Sequence, residues 1–135
     1  MYSSIITKLK SEITGIANVQ AIFDYEPTSF TKYPSVTITP VGHTEEYETL
    51  RDTKRTVTFS IKVYGSLTGT NDTTQVTVRD IVDAIIDKLG QDVTLDGTIT
   101  YSLLTDGAFR SVVREQAEYV GEITYKAITL FNRYA

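Results

Sequence analysis

The sequence feature that most limits the possible folds is a pair of alternating segments on either side of a charged stretch, within residues 34–65. Apolar residues alternate with polar ones in both segments: Val36, Ile38, Val57, Phe59, Ile61 and Val63. Strict alternation is typical of strands that bury one face. The pattern therefore predicts a long antiparallel hairpin, and a two-residue turn would have been enough to connect its arms.

The position of the turn decides which residues of the hairpin face each other. If Glu48 pairs with Thr53, then Glu46 faces Arg55 near the turn. A shift of this register by two positions changes the partners but leaves every side chain on the same face of the hairpin. A shift by one position would bury the threonines, so that register is disfavoured. Arms of about a dozen residues span about 40 Å, and a core for this chain length has a radius of gyration of about 14 Å. We therefore expect the hairpin to protrude.

The rest of the chain predicts two amphipathic helices and further strands. Apolar residues recur at helical spacing over residues 3–16 and again in NDTTQVTVRDIVDAIIDKLG, where Asp72 or Thr73 caps the start and Gly90 marks the end. Residues 19–27, 98–104 and 117–134 have strand character, and residues 105–116 link the last two, either as a loop or as a further extended segment. This order predicts one α+β domain over residues 1–135, with a mostly antiparallel sheet, two helices packed on one face and a protruding long β-hairpin.

Composition and charge exclude several classes of protein. The chain has 135 residues, which suits one domain, and it has no cysteine, which excludes disulfides and thiolate metal sites. The formal net charge of −4 disfavours broad binding to nucleic acid. No apolar run approaches the roughly 20 residues of a membrane span, and Lys8, Lys10 and Glu12 interrupt the N-terminal segment, which argues against a secretory signal. We expect a soluble product of the cytosol that does not bind membranes.

Residue patterns that would indicate an enzyme or a metal site are absent from the sequence. His43 is the only histidine, and on a strand Glu45 shares its face while Glu46 does not, so we expect a solvated histidine. Asp80, Asp83 and Asp87 fall on the polar side of the second helix. The Asp-Gly pairs at 96–97 and 106–107 are typical of turns. We predict no catalytic residues, no metal and no cofactor.

The charged middle of the hairpin, residues 44–55, is called the ribbon here. Its first arm is acidic and its return is basic, and exposed pairs of this kind contribute only about 0–1 kcal/mol each to the stability of a monomer. Opposite charges are better at setting register and partner choice between chains. We predict an oligomer or partner interface formed by Glu45, Glu46, Tyr47, Glu48, Arg51, Lys54 and Arg55. The alternative is a long solvated loop.

Most of the chain resembles the tail terminator (tail-completion) proteins of long-tailed bacteriophages in the order of its helices and strands and in the general residue character of each. The resembling stretches are IITKLKSEI, YPSVTITPVG and RTVTFSIKVYG, TTQVTVRDIVDAIIDKL, ITYSLL and GEITYKAITLFNRY. The resemblance implies a small α+β subunit of a hexameric ring in the virion tail, made in the host cytoplasm. Such a ring caps the tail tube and gives the head-side connector protein a surface to join.

The resemblance also implies the partners: further copies of the same chain, the tail tube protein and the head-side connector. DNA would only pass through the lumen of such a ring, and the acidic charge would suit that passage. No individual functional residue is carried over from the family. The alternatives are another neck or connector component, a tail tube subunit, or a monomeric binding domain of ferredoxin-like type.

Overall fold

The computed structural model describes residues 2–47, 52–67 and 71–132 of the chain. Its elements are α1 (Tyr2–Thr14), β1 (Ala21–Phe23), β2 (Ser35–Tyr47), β3 (Asp52–Ser66), α2 (Asn71–Gln91), β4 (Tyr101–Val113) and β5 (Ala117–Asn132). Both helices lie within a residue or two of the ranges that the helical spacing predicts. Three strands follow α1 and two follow α2, in the order that the sequence indicates.

The described strands form one sheet in the order β1-β2-β3-β5-β4. Only β1 and β2 run parallel, and every other neighbouring pair is antiparallel. The predicted α+β class with a mostly antiparallel sheet is therefore confirmed. The element order differs from the βαββαβ order of ferredoxin-like domains, because a complete antiparallel hairpin stands on each side of α2.

Both helices pack against the same face of the sheet, as predicted, and the main core lies between the two layers. Ile5, Leu9 and Ile13 of α1 are buried there, because residues three and four apart share one helix face. The buried residues of α2 are Val78, Ile81, Val82, Ile85 and Leu89. We call the other face of the sheet the open face. In the described part of the chain, no helix has the length and apolar character needed to span a membrane.

Two strand glycines bring α2 close to the sheet. A Cβ atom at Gly65 would lie 2.6 Å from Cγ2 of Thr74 and 2.7 Å from Cγ2 of Val78. A Cβ atom at Gly121 would lie 2.7 Å from Cγ2 of Val82. Real Cβ contacts are longer than this, so the helix rests where the two strands lack side chains.

The hairpin of β2 and β3 forms, and its register changes along its length. Near its base Ile38 pairs with Ile61, a shift by two from the predicted register that preserves both faces. A bulge at Val41 then inserts one residue, so that Glu45 rather than Glu46 faces Arg55. The predicted Glu46–Arg55 pair is therefore wrong, because a one-residue bulge exchanges the faces of every residue beyond it.

The outer half of this hairpin has a third strand beside it. β5 pairs with β3 along its whole length, from Ser66 opposite Glu118 to Asp52 opposite Asn132. β4 begins only at Tyr101, opposite Ile128, so it does not accompany β5 to its end. The end of the hairpin that we expected to protrude is thus the outer end of a three-stranded part of the sheet.

The segment that links the last two predicted strands is extended, because it continues the first of them as β4. β4 continues through Val113, and the Asp106-Gly107 pair forms a bulge within it instead of a turn. Asp106 has a φ of 47°, a left-handed conformation that aspartate tolerates better than most residues. The other Asp-Gly pair, at 96–97, does lie in a turn, with φ values of 56° and 78°.

Candidate assembly surface

The predicted interface residues lie at the outer end of the sheet, on β2 and β3. Glu45, Glu46, Tyr47, Lys54 and Arg55 are within the described chain, and their strands place them side by side. The other two predicted residues, Glu48 and Arg51, lie outside the described residues. The antiparallel pairing of β2 and β3 therefore brings five of the seven residues together.

Glu45 and Arg55 form an ion pair within the chain. Nη2 of Arg55 lies 2.6 Å from Oε1 of Glu45, and its Nε donates a hydrogen bond of 2.7 Å to the same oxygen. The guanidinium carbon also lies 4.8 Å from the centre of the Phe131 ring. About a third of each side chain of the ion pair is exposed, so their mutual contact adds only modestly to stability. These two charges are already matched within one subunit.

The remaining described charges of the ribbon lie on the open face. Glu46 stands opposite Lys54 on β3, and Lys54 stands opposite Leu130 on β5. Leu130 is 48% exposed, and Tyr47 on the helix face is 62% exposed. The outer end of the sheet therefore has an exposed tyrosine on the helix face and an exposed leucine beside opposite charges on the open face.

His43 has a packing role that the sequence does not reveal. Its Nδ1 lies 2.8 Å from the hydroxyl oxygen of Tyr2, and the two rings meet edge to face at 5.9 Å. Tyr2 in turn meets Phe59 of the core edge to face, at 6.0 Å. Among the described residues, no group of three or more His, Cys, Asp or Glu side chains is placed to hold a metal ion. His43 thus joins the start of α1 to β2.

A polar cluster on the open face is the feature that sequence reasoning missed. Arg114 donates hydrogen bonds of 2.6 and 3.1 Å to the two carboxylate oxygens of the buried Glu118. The hydroxyl of Tyr33 donates to Glu118 at 2.7 Å, and the amide of Gln116 donates to that hydroxyl oxygen at 2.6 Å. The Arg114 guanidinium is thus paired with Glu118, and its Nη1 lies 3.8 Å from a second carboxylate, that of Glu26. These contacts link distant parts of the chain.

Aromatic rings complete this cluster and cover one end of the open face. The guanidinium carbon of Arg114 lies 5.0 Å from the ring centre of Phe30 and 4.7 Å from that of Tyr64. Tyr64 also donates a hydrogen bond to Glu26. Burial raises the pKa values of Tyr33 and Tyr64, because the phenolate form loses more solvation than the neutral form, and the neighbouring carboxylates reinforce the effect.

A solved virus-like particle contains a chain with the same fold. That structure is the virion of a native gene transfer agent (GTA) particle. The two chains superpose with a TM-score of 0.60, and the match covers 92% of this chain and 90% of the virion chain. The two sequences are 15% identical, so the likeness is one of fold. No family model matches this chain, and no curated protein matches its sequence.

Proposed function

We propose that this chain is a structural protein of a phage-like particle and, more specifically, a tail terminator. In this role, copies of the chain form a hexameric ring on the end of the tail tube, stop its growth and present the surface to which the head-side connector binds. The observation that carries the proposal is the fold shared along nearly the whole of both chains with a component of a GTA virion.

The surface of the chain agrees with a role in assembly. The five described residues of the predicted interface lie together at one end of the sheet, and the exposed Leu130 lies opposite Lys54 there. The polar cluster on the open face brings Arg114 together with Glu118 and Glu26, so its charges interact within the chain. Contact with other subunits is therefore a better use of this surface than catalysis.

Deletion of the gene from a particle-producing genome tests the proposed role. Without a cap, tube growth is not stopped, so we expect filled heads together with unjoined tubes of irregular length in electron micrographs. The wild-type gene supplied in trans should restore joined particles with tails of uniform length.

The same micrographs separate the alternatives. A connector component would leave tails of normal length that are not joined to heads, and a tube subunit would leave no tubes. Intact, infectious particles after deletion would overturn a structural role and favour a monomeric binding domain.

A further inference from the structure

β4 is the sheet's second edge, and it is long and open. Within the described residues no strand pairs with its outer side, along thirteen residues from Tyr101 to Val113. Residues 106–110 are exposed in an unbroken run. Three large apolar side chains of this strand are also exposed: Leu103 at 48%, Phe109 at 44% and Val113 at 81%. Unpaired backbone groups beside apolar side chains are a template for pairing with another strand.

At the opposite edge of the sheet, β1 covers only Ser35 to Thr37 of β2, and the rest of β2 is an open edge in the described part of the chain. Several residues of this edge oppose pairing with an added strand. On β2, Pro40 lacks a backbone donor, and the bulge at Val41 follows it directly. The acidic Glu45 and Glu46 lie further along the same edge. Proline, bulges and charges all protect an edge strand from added strands. β4 has a bulge of its own, but no proline interrupts it.

We propose that two copies of this chain pair through their β4 strands, antiparallel, about a two-fold axis at Ala108. The sequence of β4 is complementary to itself in this register. Ala108 faces Ala108 of the partner subunit, and Phe109 faces the partner's Gly107. Arg110 then faces the partner's Thr105.

The proposed pairing is consistent on both faces of the sheet when the bulge residue of each copy is left out of the ladder. Before the bulge, Leu104 lies opposite Tyr125 on the helix face, and after it Phe109 lies opposite Gly121 on the same face. The bulge residue Asp106 of each copy is skipped, so the pairing continues with Ser111 opposite the partner's Leu104. Helix-face residues meet helix-face residues throughout. If Asp106 were counted in the ladder instead, Ser111 of the helix face would meet the partner's Thr105 of the open face.

The proposed pair explains why a glycine stands at position 107, whereas contacts within one chain do not require it. A Cβ atom there would meet only the carbonyl oxygen of Glu122, at 3.8 Å, which is an ordinary contact. Across the two-fold axis, the missing side chain leaves room for the partner's Phe109. That ring would reach a groove of about 290 Å³ between α2 and β4, whose apolar lining includes Val82, Ile86 and the chain's own Phe109.

The charges of the strand also match across the axis. In the proposed register Asp106 lies beside the partner's Arg110, and the symmetry produces this contact twice. Within one chain the two residues are four strand positions apart, which is about 13 Å. Their charges can therefore contact each other only between copies. Arg110 keeps its own partner as well, since its Nη1 lies 3.2 Å from Oε2 of Glu122.

The inference goes beyond the proposed function, because it concerns the chain before assembly. A two-fold contact is closed and cannot by itself propagate a polar ring. The pair would keep the open β4 edge covered until subunits join a particle. Its existence does not depend on the particle phenotype, so the two proposals can fail separately.

Disulfide trapping tests the pair directly, because the chain contains no cysteine. Directly opposed residues of antiparallel strands have Cβ atoms about 4.5–5.5 Å apart, close to the range that a disulfide spans. Under mild oxidation we expect purified A108C to become a covalent dimer, with no larger species. V41C is the matched control, since Val41 is 68% exposed on the opposite edge. Cross-linking of A108C no faster than that of V41C would overturn the proposal.

A double-mutant cycle gives a second test that does not need a cysteine. Sedimentation velocity of the wild-type chain should show a monomer–dimer equilibrium, and R110E should raise the Kd at least about tenfold, because like charges then meet twice. D106N suits the left-handed position and removes the repulsion, so R110E/D106N should regain at least about threefold of that loss. A strictly monomeric wild type, or additive effects of the two changes, would contradict the pairing.

Discussion

Arg114 is held from several directions, and this explains how a short loop is fixed to the open face. Its guanidinium binds both oxygens of Glu118, donates a hydrogen bond of 2.6 Å to the carbonyl of Pro27, and lies against the rings of Phe30 and Tyr64. A buried carboxylate that lost this partner would keep its desolvation cost without compensation. Arg114 thus connects the loop before β2 to the turn between β4 and β5.

The first prediction at this scale concerns alkaline pH. Tyrosine in an unfolded chain ionises near pH 10, whereas burial raises the pKa values of Tyr33 and Tyr64 in the folded protein. Above about pH 10 the unfolded state therefore binds fewer protons than the folded state, so the free energy of unfolding falls as pH rises. Urea unfolding between pH 8 and pH 11 should show this decline.

Substitution of Tyr64 tests whether this residue causes part of the decline in the free energy of unfolding above pH 10. Y64F removes a titrating group from the cluster, so the decline above pH 10 should become less steep than in the wild type. Y25F is the matched control, because Tyr25 is 58% exposed. A pH dependence of Y64F identical to that of the wild type would contradict the assignment to Tyr64.

Such single-residue contacts could not be read from the sequence. Arg114 and Glu118 are four residues apart, a spacing that indicates contact on a helix, and here a turn and a strand produce it instead. The Tyr2–His43 contact joins residues 41 positions apart. Only the assembled sheet and helices place these partners together.

At the scale of elements, periodicity predicts α2 well because one apolar stripe meets one sheet face. Ile85 is fully buried, whereas the next residue, Ile86, is 41% exposed. I85A should lower the free energy of unfolding by about 2–5 kcal/mol through lost burial and a cavity. I86A is the matched control in the same helix and should cost clearly less. Urea denaturation measures both, and equal losses would contradict the packing of α2.

In the strands, the alternation of apolar and polar residues predicts the faces but not the bulges. The faces of β5 follow from alternation, with Ile123 and Tyr125 buried against the helices and Val120 and Ile128 covered on the open face. The bulges at Val41 and Asp106 do not follow from it, because one inserted residue leaves no distinct mark in an alternating sequence. Both wrong expectations, the Glu46–Arg55 pair and the turn at 106–107, come from these two bulges.

At the scale of the whole molecule, two separate surfaces stand out. The ribbon and its neighbours form the outer end of the sheet, and the edge of β4 forms one flank. Leu130 and Gly121 are nine positions apart along β5, which is about 30 Å, so the two surfaces can serve different contacts. The sequence indicates the ribbon as an interface through its charge, but the exposed edge of β4 depends on the strand order.

The last prediction tests the ribbon as a contact between subunits. Glu46 is exposed and lies opposite Lys54, so E46K should change the free energy of unfolding by no more than about 0.5 kcal/mol. If Glu46 meets another protein, the same change should lower the yield of infectious particles at least about tenfold when the variant complements a deleted gene.

The exchange E46K/K54E separates the two possible roles of these charges. It restores an opposite-charge pair within the ribbon but inverts the pattern that another subunit meets. We therefore expect the exchanged variant to remain defective in particle yield while its urea unfolding matches that of the wild type. Recovery of full yield would mean that the two charges act only on each other, and the ribbon would then be a solvated part of the hairpin.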